Sequence, residues 1–205
     1  LAGTPEAMSD PGEFYHDPHA RTIGYLPRGD ELEAGEAIAA KLTTLLVVSA
    51  SYISFSGITF ADTDYTAPGG GYGPDDAALV FTGADHCSVT DCRFAHVRGY
   101  AARLEQRSRN ISFIGNEMRH MGQGGIMLTG DDETQPTDNE ILGNVCENCG
   151  RIYKHVAGVY ITSGSRNRIA HNRFAGMTRY AVSAKSSQGR SSHENVIELN
   201  DISDT

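Results

Sequence analysis

Along most of the chain, apolar and polar residues alternate in runs of three to five, and clusters of Gly, Asn, Asp and Ser separate the runs. One unit reads Gly158-Val-Tyr-Ile-Thr162, Ser163-Gly-Ser-Arg-Asn167, Arg168-Ile-Ala-His-Asn172, Arg173-Phe-Ala-Gly-Met177. Short runs with a period of two predict strands, and the polar clusters predict turns. The unit recurs. Phe113-Ile-Gly-Asn116-Glu-Met118, Ile141-Leu-Gly-Asn144-Val-Cys146, Ile169-Ala-His-Asn172-Arg-Phe174 and Ile197-Glu-Leu-Asn200-Asp-Ile202 hold asparagines spaced by 28 residues. Earlier copies place Cys92 and Ile58 in the same slot. A period of this size means stacked units, none of which can bury its apolar face alone.

Three strands per coil, repeated at near-constant length, predict an all-β parallel β-helix over residues 43–205, with coils starting near Leu45, Ala77, Ala101, Gly125, Gly158 and Ala181. Stacking sets each strand about 4.8 Å above its counterpart, so equivalent side chains form ladders. Asparagine at a turn tolerates a left-handed backbone and bonds to its neighbours above and below. Residues 1–42 lack the repeat. Pro11–Tyr15 and Thr22–Pro27 read as a hairpin, Glu31–Leu42 as a helix weakened by Gly35 or an extended lead-in, and the whole as a strand-rich N-terminal cap. Two excursions interrupt the coils, Ala61–Asp76 with Gly69-Gly-Gly71, Tyr65 and Tyr72, and Gly150–Ala157, and both join the same corner. Glycine-rich insertions at one corner of a solenoid border a binding face.

Composition narrows the classes. A hydrophobic fraction of 39% with 23 glycines suits a turn-rich all-β chain, and the net charge of −9 without a Lys/Arg run speaks against a nucleic-acid partner. No apolar run approaches the roughly 18 residues of a membrane span. Both ends look cut from something longer. Cys146-Glu-Asn-Cys149 invites a metal reading, but Cys146 shares a column with Phe94, Met118, Phe174 and Ile202, and Cys149 with Val97, Met121 and Met177. Those columns are core, so all four cysteines are expected to act as small hydrophobes and no metal site is expected.

Pro11-Gly-Glu-Phe-Tyr15, Leu45-Leu-Val-Val48 leading to Ile53-Ser-Phe-Ser-Gly-Ile-Thr-Phe60, Gly150-Arg-Ile-Tyr153 and Arg168-Ile-Ala-His-Asn172 resemble the right-handed parallel β-helix carbohydrate-active proteins, a pectate-lyase-like superfamily. Within it the chain is most similar to the glycoside hydrolase branch with fucosidase, xylanase and xylosidase types. The resemblance implies a right-handed coil, a polysaccharide or oligosaccharide partner, and a secreted or periplasmic bacterial protein without a membrane partner. A monomer is expected.

On the first strand of each coil, alternation assigns Ala78, Val80, Ala102, Leu104, Ile126, Leu128, Val159, Ile161, Val182 and Ala184 inward. It assigns Leu79, Phe81, Arg103, Glu105, Met127, Thr129, Tyr160, Thr162, Ser183 and Lys185 outward. This outward face, flanked by the excursions, is a groove suited to a polyhydroxylated chain. Glycoside hydrolysis needs two carboxyl groups about 5 Å or roughly 6.5–9.5 Å apart. Glu105 with Asp131 or Asp132 is the expected pair, although Gly130-Asp-Asp-Glu also reads as a solvated turn. A lyase would instead use a basic residue, with Lys185 first and Arg103 and Arg179 as alternatives, and calcium on Asp131, Asp132 and Glu133 as its only expected cofactor. His120, Gln123, His155, Tyr160, Arg103 and Arg179 are the expected substrate-binding residues. His96 and His120 also fit a stacked polar column with Asp62 and Asn148. A non-catalytic carbohydrate-binding β-helix is the third class.

Overall fold

The structure is a computed structural model that describes residues 4–35, 38–66 and 75–205. Gly69–Gly71 and Tyr72 therefore lie outside the described residues. The chain divides into two units, Leu1–Ala39 and Ala40–Thr205. In the first, β1 (Phe14–Asp17) and β2 (Thr22–Tyr25) form an antiparallel hairpin, with Phe14 opposite Tyr25. Of the two readings of Glu31–Leu42, helix or extended lead-in, the helix accounts for one turn only, α1 (Glu31–Ala34), and Gly35 is already extended.

The second unit is a coil of three-strand turns. In chain order these are β3 (Leu46–Val48), β4 (Ser54–Ser56) and β5 (Thr59–Ala61); β6 (Ala77–Thr82), β7 (Ser88–Thr90) and β8 (Arg93–Ala95); and β9 (Tyr100–Glu105), β10 (Ser112–Ile114) and β11 (Glu117–Arg119). Then follow β12 (Ile126–Leu128), β13 (Glu140–Leu142) and β14 (Val145–Glu147); β15 (Ala157–Ile161), β16 (Arg168–Ala170) and β17 (Arg173–Ala175); and β18 (Tyr180–Ala184), β19 (Val196–Glu198) and β20 (Asp201–Ser203). Every third strand pairs in parallel, giving three six-stranded sheets in the orders β18-β15-β12-β9-β6-β3, β19-β16-β13-β10-β7-β4 and β20-β17-β14-β11-β8-β5. This is the parallel β-helix that the repeat predicts.

Inward columns form the core. Phe60, Phe94, Met118, Cys146, Phe174 and Ile202 stack in register, and the Phe60 and Phe94 rings lie face to face with centroids 5.2 Å apart. All four cysteines are free and buried, as their columns predict. Cys146 Sγ lies 3.3 Å from Cys149 Sγ, and that contact, together with burial, pushes the Cys146 thiol well above its usual range.

The corners follow one grammar. A residue with a left-handed backbone precedes each ladder residue: Asp91, Gly115, Gly143, His171 and Leu199 stand before Cys92, Asn116, Asn144, Asn172 and Asn200. Asn116 Nδ2 donates to Asn144 Oδ1 at 2.8 Å, and Asn144 to Asn172 and Asn172 to Asn200 at 3.0 Å. A second ladder, which the sequence reading overlooked, runs through Asn139, Asn167 and Asn195 at the preceding corner, again 28 residues apart. At the third corner Asp62, His96, His120 and Asn148 share the left-handed conformation, and His96 Nδ1 lies 3.2 Å from Asp62 Oδ1. Asn, Asp and His are the non-glycine residues that tolerate this backbone best, which explains the polar column.

Candidate functional site on the outer face of the first sheet

The sheet built on β9, β12, β15 and β18 aligns Arg103, Met127, Tyr160 and Ser183 on one face and Ala102, Ile126, Val159 and Val182 on the other. The second set fills the core, so the expected outward residues do face out on these four strands. The assignment on β6 is corrected. Leu79 pairs with Ala102 and Phe81 with Leu104, so both point inward and are fully buried, whereas Val80 lies outward beside Arg103. The step from β6 to β9 is 23 residues rather than 24, and a slip of one residue exchanges the two faces of a strand.

The outer face has an apolar floor. Ala77, Val80, Tyr100, Met127, Val156, Ala157 and Tyr160 form a second buried cluster, with Tyr153 and Tyr180 packed against it. Both excursions reach the same corner, as expected: the Tyr65 and Tyr153 rings meet edge-on with centroids 6.2 Å apart, and Tyr153 Oη donates to the Thr66 carbonyl at 3.3 Å.

Charged groups stand on this floor in two sets. In the first, Arg103 Nε lies 3.0 Å from Glu105 Oε2, with about a quarter of each side chain exposed, and Arg103 Nη1 donates to the Asp75 carbonyl oxygen. Asp75 is exposed, yet partial loss of hydration raises its carboxyl above the usual range, a shift that the Arg103 charge opposes and Glu105 reinforces. Beneath it, burial pushes the Tyr100 phenol far up, with the Asp75 charge adding to the effect. In the second set, Lys185 Nζ donates to Tyr160 Oη at 2.5 Å and sits 4.8 Å from that ring's centre. Arg179 lies over Tyr180 at 4.9 Å, and the His155 ring is 6.4 Å from Tyr180. Loss of hydration first, then the Arg179 and Lys185 charges, lower the His155 imidazole below its usual range.

The remaining expected site residues lie elsewhere. Asp131 Oδ1 accepts from the Glu133 and Thr134 amides at 3.0 and 2.8 Å and from Thr134 Oγ1 at 2.8 Å, so it forms the turn. Those bonds hold its carboxyl below the usual range. Asp132 Oδ1 accepts from the Ser191 amide at 2.7 Å and from its hydroxyl, tying two coils together. Asp132 and Glu133 line a polar cleft of about 650 Å³ with Asp85, Gln106, Arg107 and Arg109. His120 belongs to a different depression of about 410 Å³, with Asn148, Arg151, Lys154 and Thr178. Gln123 is buried, and its main chain bonds to Gly99 and Gly150. Among the described residues, no group of three or more His, Cys, Asp or Glu could hold a metal ion.

Sequence reading missed Asp75, Tyr100 and Tyr180. The two tyrosines occupy one column, through the pairings of Ala77 with Tyr100 and Ala157 with Tyr180, and that recurrence is a signal in the sequence. Asp75 gives none.

The model of the family described as right handed beta helix region matches residues 77–205, more than half of the chain. The chain belongs to this family. Among solved structures, the β-helix protein is similar to an alginate lyase from Paenibacillus sp. str. FPU-7, at 16% identity and a TM-score of 0.46, over 75% of this chain and 67% of that one. No curated protein matches its sequence. No helix among the described residues is long and apolar enough to cross a membrane.

Proposed function

We propose that this β-helix protein cleaves a polysaccharide on the outer face of its first sheet, as a glycoside hydrolase of the kind its N-terminal and coil motifs resemble. The observation that carries the reading is the Arg103–Glu105 pair. The Arg103 guanidinium lies 3.0 Å from a Glu105 carboxylate that is about a quarter exposed, on the face that also carries the half-buried Tyr153 and Tyr180. Aromatic and apolar side chains stack on sugar rings while the polar rim bonds hydroxyls. A carboxylate on such a face can add to an anomeric carbon or deprotonate a water beside it.

Lys185 and Tyr160 favour a second reading, a polysaccharide lyase. One of the two hydrogen-bonded atoms takes the proton beside a uronate carboxylate, the bond to the glycosidic oxygen breaks, a carbon–carbon double bond forms, and the other returns a proton to the departing oxygen. Arg179 would neutralise the carboxylate.

Xylan, fucoidan, polygalacturonate and alginate, each incubated with the protein while reducing ends and ultraviolet absorbance are followed together, separate the readings. Hydrolysis gives reducing ends without absorbance, and Glu105→Gln then abolishes them. Absorbance rising with reducing ends overturns the hydrolase and transfers the dependence to Lys185→Ala. Silence in both, with retention of a polysaccharide in affinity electrophoresis, indicates a binding module.

A further inference from the structure

Hydrolysis at Glu105 requires a second carboxyl group to protonate the departing oxygen. Asp131 spends its carboxylate on three bonds within its own turn, and Asp132 spends its own on Ser191. Asp76 receives the Thr66 amide at 2.5 Å and the Thr66 hydroxyl at 3.2 Å, so it holds the first excursion in place. Asp75 differs. Its carboxyl makes no hydrogen bond among the described residues, and its carbonyl oxygen accepts from the guanidinium that holds Glu105. A single guanidinium spans only a few ångströms, so both residues are fixed on one short stretch of the groove.

Resting on the hydrolase reading above, we infer that Asp75 is the general acid of this site, working with Glu105. An acid and a base or nucleophile require two carboxyl groups in unlike surroundings. Arg103 Nε lies 3.0 Å from the Glu105 carboxylate, whereas it meets Asp75 at the main-chain carbonyl. At Asp75 the withdrawal of water and the neighbouring Glu105 and Asp76 favour the neutral form over the opposing charges of Arg103 and Arg190. Asp75 is also exposed, so a glycosidic oxygen can reach it. In the step, Asp75 gives its proton to the glycosidic oxygen as the bond from that oxygen to the anomeric carbon breaks. Glu105 completes the new bond, either by adding to the carbon until a water, giving its proton to the Asp75 carboxylate, displaces it, or by taking the proton of a water that adds directly.

The test compares wild type, Asp75→Asn and Glu105→Gln on the polysaccharide found to be cleaved and on the dinitrophenyl glycoside of the sugar released. Dinitrophenolate leaves without protonation, so only the polysaccharide needs the acid. In kcat/KM, Asp75→Asn should lose at least about 100-fold on the polysaccharide and less than about 10-fold on the dinitrophenyl glycoside. Glu105→Gln should lose both activities. A variant at Asp75 that keeps its polysaccharide activity, or loses both activities equally with an unchanged thermal midpoint, overturns the assignment and leaves the hydrolase reading standing. Failure of the wild type to release reducing ends from any polysaccharide, or release with ultraviolet absorbance, removes the reading beneath it instead.

Discussion

Asn144→Ala tests how much of the coil's stability rests on its amide ladder. The carboxamide serves four bonds: Oδ1 accepts from Asn116 N at 2.9 Å and Asn116 Nδ2 at 2.8 Å, while Nδ2 donates to Phe113 O at 2.9 Å and Asn172 Oδ1 at 3.0 Å. Asn172 Oδ1 keeps a partner after the change, because the Asn144 main-chain N–H also donates to it at 2.9 Å. Two N–H donors of Asn116 lose their acceptor, although Nδ2 keeps its other bond, to Val89 O at 2.9 Å. Asn116 is fully buried and Asn144 is 2% exposed, so no bulk water stands ready to replace the lost acceptor. At about 1–3 kcal/mol for each buried group left unsatisfied, two donors and one weakened carbonyl give a loss of roughly 3–6 kcal/mol. That is a large share of the ~5–15 kcal/mol by which a domain is stable.

Asn200→Ala is the internal control. Asn200 receives the same pair of bonds from Asn172 and donates to Ile169 O at 2.9 Å, but on the last coil, where it is only half-buried. Water can satisfy the groups it abandons, so its loss should be about 1–2 kcal/mol. Urea titration followed by far-ultraviolet circular dichroism measures both midpoints, and the slope reports whether one coil detaches before the rest. Equal losses for the two variants, or a loss under about 1 kcal/mol at Asn144, would refute the argument that buried ladder amides hold the coils together.

Three further outcomes follow from the same structure. Gly124→Ala should cost about 3 kcal/mol or prevent folding, since a Cβ there would lie 2.0 Å from the Ala157 carbonyl oxygen and 2.7 Å from the Tyr100 ring; a urea midpoint like wild type would show that the coil can widen there. Asp85 is lowered to about 2, first by the Asn110 side chain and then by Arg109. Its folded pKa lies below its unfolded value, so its contribution is complete above about pH 4 and fades as pH falls through about 2. Asp85→Asn should flatten that part of the acid limb in urea midpoints measured against pH, and an unchanged limb would count against the depressed carboxyl. All four thiols should resist a disulfide reagent in the native protein and react in denaturant, whereas a native thiol that reacts promptly would mean that its column is open to solvent.

The solenoid was legible because one physical constraint repeats. A buried amide must bond both up and down the stack, so asparagine returns wherever a coil closes at constant length, and Asn116, Asn144, Asn172 and Asn200 mark that return. Asn139, Asn167 and Asn195 obey the same constraint and carry the same spacing, though the columns above them hold Ile111 and Cys87, which hide the pattern toward the N-terminal end. The core thiols were legible for a related reason, since neighbours in a parallel stack share one environment and Cys146 inherits that of Met118 and Phe174. Coil length sets the limit of this reasoning. One residue fewer between β6 and β9 turns over the alternation at Leu79, Val80 and Phe81, and a strand without a charged residue offers nothing to betray its outward side. The groove illustrates the other limit. Arg103, Glu105 and Tyr160 sit on strands whose period places them, and Lys185 directly follows one, whereas Asp75 reaches the same face from an excursion that obeys no repeat. A periodic scaffold can be read from its period, but a side chain delivered by a loop can be found only once the backbone path is known.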